Sequence, residues 1–126
     1  MTQQTQTFIN ILRELQKIDP EFPLQYAICL SYISLNEGLS MTDLVQRTGL
    51  ALSTISRIVG ALSTQRQMGK PYNLVEVRIN ENERRKKELY LTAQGRKVMA
   101  NIATLLFQNE VIVSPAPSEK KVRRTT

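Results

Sequence analysis

Phe8, Ile11, Leu12, Leu15 and Ile18 recur at intervals of three and four residues, the spacing that puts side chains on one face of an α-helix. It predicts an amphipathic helix over residues 5–18, stopped at Asp19-Pro20 because a residue before proline disfavours helical backbone. A second helix is expected over residues 23–36. Pro23 suits its first turn, Leu24, Ala27, Ile28, Ser31 and Leu35 line one stripe, and Gly38 breaks the helix at its C-terminal end. Ser40-Met41-Thr42-Asp43 has the form of a capping box with Asp in place of Glu, and opens a short helix ending near Arg47, before Gly49. A longer helix is expected over residues 52–66, with Ile55, Ile58, Val59 and Leu62 as its buried stripe. Residues 67–73 are a turn-rich connection.

The period then changes. Leu74, Val75, Val77 and Ile79 predict a short β-branched strand, residues 80–86 a polar and mostly charged tip, and residues 88–91 a returning strand with Leu89 and Leu91 on one face. Together they make a hairpin with a basic tip. Thr92 caps a last helix to about residue 108, whose Val98, Met99, Ile102, Ala103, Leu105, Leu106 and Phe107 cover more than one face. The tail, SPAPSEKKVRRTT, is Pro-rich and then basic, and is expected to be disordered. Its four cations, Lys120, Lys121, Arg123 and Arg124, suit nonspecific phosphate contacts or a solvated tail equally well. The fold class expected is mainly α with a small β-hairpin wing, a winged helix-turn-helix. Its divisions are an N-terminal helical segment (1–22) for dimerisation, a winged helix-turn-helix domain with the C-terminal helix (23–113) and the tail (114–126).

Composition narrows the function classes. The 126 residues are 41% hydrophobic, enough for a core. No apolar run approaches the roughly 18 residues of a membrane span, so no membrane association is expected. The polar start, MTQQTQTFIN, does not read as a secretory signal. With a single cysteine it suggests a reducing, cytoplasmic setting. There is no histidine, which removes the commonest general base and zinc ligand. Gly38, Gly49, Gly60, Gly69 and Gly95 are scattered rather than gathered into a phosphate loop. With no clustered carboxylates either, the chain is not expected to be an enzyme, nor to hold a metal or cofactor. Charge is informative through its placement. Residues 1–45 hold two basic and five acidic residues, a net of −3; residues 46–126 hold fifteen and six, a net of +9. A basic half beside an acidic half suggests one face built for a polyanion.

Residues 39–63 supply a specific candidate. The shorter helix packs on the longer through Leu44 and Val45, and Gly49 lies at the tight turn between them. Burial of Ile55, Val59 and Leu62 leaves Ser53, Thr54, Ser56, Arg57, Gly60 and Ala61 on or near the opposite side. Small and hydroxylic residues let a helix approach base edges, and Arg57 can reach a phosphate or a guanine edge. Ser53, Thr54, Ser56 and Arg57 are the recognition-helix candidates for double-stranded DNA.

Two stretches resemble the MarR family of winged-helix transcriptional regulators: Leu39–Leu62, especially Thr48-Gly49-Leu50 and Ser53-Thr54-Ile55-Ser56-Arg57, and Glu83–Gly95 with its Leu91-Thr92-Ala93-Gln94-Gly95. The family's pattern in the second is Asp-x-Arg in the wing, a strand, and Leu-Thr-x-x-Gly opening the next helix. The resemblance spans about residues 24–107. It implies a homodimer on a pseudo-palindromic operator, with recognition helices in major grooves and wings in flanking minor grooves. Arg84, Arg85, Lys86 and Lys87 would supply the wing, and Arg85 stands where the family's minor-groove arginine does. The chain departs from the pattern at Glu83, where the family has Asp, and at Ala51, where it has a helix-capping residue. Its 68–72 linker is also longer and its terminal helices shorter.

Apolar surface on the terminal helices exceeds what one small domain needs. Phe8, Ile11, Leu12, Leu15, Leu105, Leu106 and Phe107 are therefore the expected dimer interface. Cys29, in an apolar helix with no adjacent cation, reads as structural rather than redox-sensing. Tyr26 and Tyr32 read as packing residues, with a small-molecule effector pocket as the alternative. The expected function is a sequence-specific DNA-binding regulator, most simply a repressor. The alternative is a winged-helix module that binds a polymerase or other nucleoprotein component.

Overall fold

The computed structural model describes residues 1–64, 69–83 and 86–113. The elements run α1 (Thr2–Gln16), α2 (Leu24–Leu35), α3 (Met41–Thr48), α4 (Leu52–Leu62), β1 (Val75–Asn80), β2 (Lys86–Leu91) and α5 (Ala93–Val113). β1 and β2 form an antiparallel hairpin in which Val75 faces Leu91 and Asn80 faces Lys86. This is a winged helix-turn-helix, mainly α with a small β wing.

One apolar cluster holds these elements together. α4 contributes most to it, through Ile55, Ile58, Val59 and Leu62. Cys29, Leu30 and Ile33 come from α2, Leu44 from α3, Leu89 and Leu91 from β2, and Val98 from α5. Burial of one such large aliphatic side chain contributes about 1.5–3 kcal/mol. That dependence on packing explains why an eight-residue helix such as α3 is stable here. α1 lies outside the cluster: it buries no residue fully and packs along α5.

The expected elements are present with shifted limits. α1 begins three residues before the expected start, and α5 runs five residues beyond the expected end. α4 stops at Leu62 rather than near residue 66. The cause is the returning chain. Tyr72, Leu74 and Asn73 donate their amides to the carbonyls of Ala61, Leu62 and Ser63 at 3.0, 2.7 and 2.8 Å. Those bonds occupy acceptors that a continuing helix would use. Lys86 and Lys87 belong to β2 and pair with Asn80 and Ile79, so the tip is shorter than the polar run suggested.

The stripe expected on α2 exists but faces outward. Leu24 and Leu35 are 70% and 76% exposed, and the core side of the helix is Cys29, Leu30 and Ile33. α2 is apolar all round, so its periodicity does not mark which face the core takes.

Three local devices set the angles between elements. Ser40 and Asp43 form the reciprocal capping box at the start of α3: the Asp43 amide donates to Ser40 Oγ and the Ser40 amide to Asp43 Oδ2, each at 3.0 Å. Gly49 closes α3 in the left-handed conformation, φ 77°, with its amide on the Val45 carbonyl. Thr92 caps α5, accepting the Gly95 amide at 3.0 Å, and donates its own hydroxyl to the Asn73 carbonyl at 2.8 Å.

Candidate nucleic-acid interface

α3, the Gly49 turn and α4 form the helix-turn-helix, and burial of one face of α4 defines the other. Ser53, Ser56 and Arg57 are exposed on α4, and Thr54 is half-buried beside them. Ala61, expected on the same outer side, is buried, and Gly60 is half-buried. Contact along the second half of α4 wraps further round the helix than its larger apolar residues indicate. The accessible surface of α4 is thus concentrated in its first two turns.

The wing lies beside this surface. Ser40, Met41, Thr42 and Asp43 at the start of α3, Leu52 and Ser56 on α4, and Lys86 and Lys87 on β2 line one open cleft of about 690 Å³. The structure therefore brings together one expected recognition residue, Ser56, and two expected wing cations. Ser53 and Arg57 flank Ser56 on the exposed side of the same helix. Arg84 and Arg85 lie outside the described residues. The start of α3 was not singled out from the sequence as part of this surface. Its signal was the capping box, which engages the amide of Asp43 and leaves those of Met41 and Thr42 among the first-turn donors with no acceptor inside the helix.

Charge in the cleft is mixed. The Asp43 carboxyl is held below the usual carboxylate range, first by the Ser40 amide and hydroxyl, then by Lys86 and Arg47 nearby. Lys86 is 3.9 Å from Glu83. Among the described residues neither Lys87 nor Arg57 is in an ion pair, so both cations are available to an anion.

The face of the hairpin that carries Lys86 also carries a polar ladder of Glu76, Arg78, Asn80, Glu88 and Tyr90. The Arg78 guanidinium stacks over the Tyr90 ring at 3.9 Å and pairs with Glu76 at 3.2 Å. Asn80 and the Tyr90 hydroxyl both donate to Glu88, at 2.9 and 3.1 Å. The hairpin's β2 edge is extended by the α2–α3 turn: the Gly38 amide donates to the Leu89 carbonyl at 2.8 Å and the Leu89 amide to the Leu39 carbonyl at 3.0 Å.

The remaining expected sites fall as follows. Cys29 is fully buried, and burial pushes its thiol up to about 11, so it carries no thiolate at neutral pH. Tyr26 packs edge-on against Phe22 and Tyr72 at 6.0 and 6.1 Å, and the Tyr72 hydroxyl donates to Asp19 at 2.6 Å. Tyr32 is half-buried against the core. Of the expected interface residues, Phe8, Leu12, Leu106 and Phe107 are exposed, whereas Ile11, Leu15 and Leu105 are half-buried. No group of His, Cys, Asp or Glu among the described residues is placed to hold a metal ion. No helix among them is long and apolar enough to cross a membrane.

No family model and no curated protein matches the sequence. Solved structures share its fold. A mutant of MepR from S. aureus bound to an oligodeoxyribonucleotide aligns over 92% of this chain and 79% of its own, with a TM-score of 0.67 and 17% identity. A second MepR mutant, from a multidrug resistant S. aureus clinical isolate, aligns over 87% and 74%, with a TM-score of 0.70 and 16% identity. CouR, a transcriptional repressor bound to a DNA duplex, aligns over 86% and 70%, with a TM-score of 0.59 and 20% identity. The chain has the winged-helix fold of the MarR-type regulators.

Proposed function

We propose that this chain is a DNA-binding transcriptional regulator of the MarR type, a repressor that binds a pseudo-palindromic operator as a homodimer. The observation that carries the reading is the cleft where the exposed start of α4 meets Lys86 and Lys87 of the wing. A helix presenting Ser53, Thr54, Ser56 and Arg57 fits a major groove, because small hydroxylic side chains permit close approach and an arginine reads guanine. Arg84, Arg85, Lys86 and Lys87 then meet the backbone and minor groove alongside. The structures of MepR in complex with DNA and of CouR bound to a DNA duplex support the same use of the fold.

Residues 1–22 and α5 serve dimerisation in this reading, through Phe8 and Leu12 on one helix and Leu106 and Phe107 on the other. Ile11, Leu15 and Leu105 support them from the half-buried side. Two-fold symmetry in the protein would be mirrored in the operator. Selection of bound sequences from a random duplex pool tests the function. The expected product is a palindromic motif with half-sites about one helical turn, ~10 base pairs, apart. Failure to enrich any motif, with a chain that elutes as a monomer, would overturn it.

A further inference from the structure

Glu37, two residues beyond the end of α2, takes part in none of the roles above. Its Oε1 accepts the Leu91 amide at 2.9 Å, at the last residue of β2. Its two oxygens also accept the Arg96 guanidinium, at 3.0 and 2.6 Å, in the first turn of α5. One carboxylate thus joins the α2–α3 turn, the base of the wing and the helix that follows it, across sequence separations of 54 and 59 residues. A bidentate guanidinium–carboxylate pair constrains orientation as well as distance. Arg96 is more than half exposed, and exposed ion pairs add little to stability. Global stability is therefore a poor account of why three elements meet on this one side chain.

Leverage is a better account. A two-stranded hairpin holds its own orientation weakly. Beyond the bonds that hold Leu89 to the α2–α3 turn, β2 runs three residues further to Lys86, a reach of about 10 Å at the usual rise per residue. A tilt of about 10° at the base would move Lys86 by about 2 Å, several times the roughly 0.5 Å range of hydrogen-bond distances. We propose that Glu37 is a positioning residue for the wing: by clamping the end of β2 to Arg96 it sets the angle at which Lys86 and Lys87 stand relative to α4. This rests on the DNA-binding reading, but the clamp can be measured without DNA.

The test uses the full chain and a labelled duplex carrying the motif that the chain itself selects. Glu37→Ala and Arg96→Ala are each expected to weaken binding about tenfold, and the double variant no further than the weaker single, since residues acting through one contact are not additive. Glu37→Gln, which keeps the acceptor for Leu91 and loses the charge, should fall in between. Exchange of the Leu91 amide should accelerate in Glu37→Ala. Wild-type affinity in a folded Glu37→Ala would overturn the proposal. So would additive losses, or a loss confined to Arg96→Ala, which would place Arg96 on the duplex itself. If Glu37→Ala does not fold, Glu37→Gln and Arg96→Ala form the same cycle. If the intact chain binds no duplex, the DNA-binding reading fails, and amide residual dipolar couplings decide the clamp. The wing and α5 should orient as one body in the intact chain and separately in Glu37→Gln; unchanged couplings would overturn it.

Discussion

Gly95 has no room for a side chain. A Cβ there would collide with the carbonyl oxygen of Leu74, which itself accepts the Thr92 amide at 3.0 Å. Alanine normally improves a helix by about 1 kcal/mol over glycine, but backbone cannot yield as a flexible side chain does. Gly95→Ala is therefore expected to destabilise the fold by about 1–3 kcal/mol; a raised melting temperature would show that α5 can move away from the hairpin. Asp43 sets a second residue-scale expectation. Its carboxyl lies below its ordinary range because of the Ser40 amide and hydroxyl, and that of Glu37 does so chiefly because of the Leu91 amide, then Arg96. A carboxylate depressed in the fold gives stability that is complete above its unfolded pKa and lost as pH falls through the folded one. Denaturation midpoints should thus hold steady near neutrality and fall below about pH 4, with a shallower fall in Asp43→Asn; equal slopes would remove Asp43 from the account. The pair Ser40–Asp43 and the cap at Thr92 were legible in the sequence, because each is a local pattern of short span. Glu37 was not, since its partners lie 54 and 59 residues away.

Among the elements, α3 and α4 contrast at their first residues. α3 has both halves of a capping box, whereas α4 starts after Ala51, which offers no side-chain acceptor. Ala51 is exposed and its backbone is already extended, φ −64° and ψ 151°, as a capping position requires. Ala51→Ser should therefore stabilise the fold by about 1 kcal/mol, read as a rise in the denaturant midpoint at unchanged slope; a fall would mean that a polar group at this point is poorly placed. The order and type of every element were legible, because period 3.6 and period 2 segments alternate cleanly with glycine and proline between them. The exact limits were not, and neither was the buried face of α2. The end of α4 depends on the chain at residues 72–74 returning to its carbonyls, and the buried face of α2 depends on where α4 packs. Neither leaves a mark in the local pattern.

At the scale of the molecule, charge and apolar surface govern how the chain meets its partners. The formal net charge of +6 is concentrated in the second part of the sequence. If Lys87 neutralises one phosphate, Lys87→Ala should reduce the slope of log affinity against log salt by about 0.9; an unchanged slope would take Lys87 off the duplex. Phe8 and Phe107 remain 60% and 64% exposed on the helices assigned to the dimer. If the proposed dimer forms through these helices, Phe8→Glu with Phe107→Glu should give a folded monomer on gel filtration, with weaker binding to a palindromic duplex. An unchanged elution volume would move the interface elsewhere.

By itself the sequence determined the succession of helices and hairpin, the capped start of α3, the glycine turn before α4, and a polar, basic surface on and after it. These follow from spacing, caps and charge, which act over a few residues. Only the tertiary structure decided that Ser56, Lys86 and Lys87 share one cleft, that Ala61 is buried, that the apolar stripe of α2 faces outward, and that Glu37 ties the wing to α5. Each of these depends on how elements far apart in the chain pack together, and that is set by the shared core rather than by any one segment's pattern.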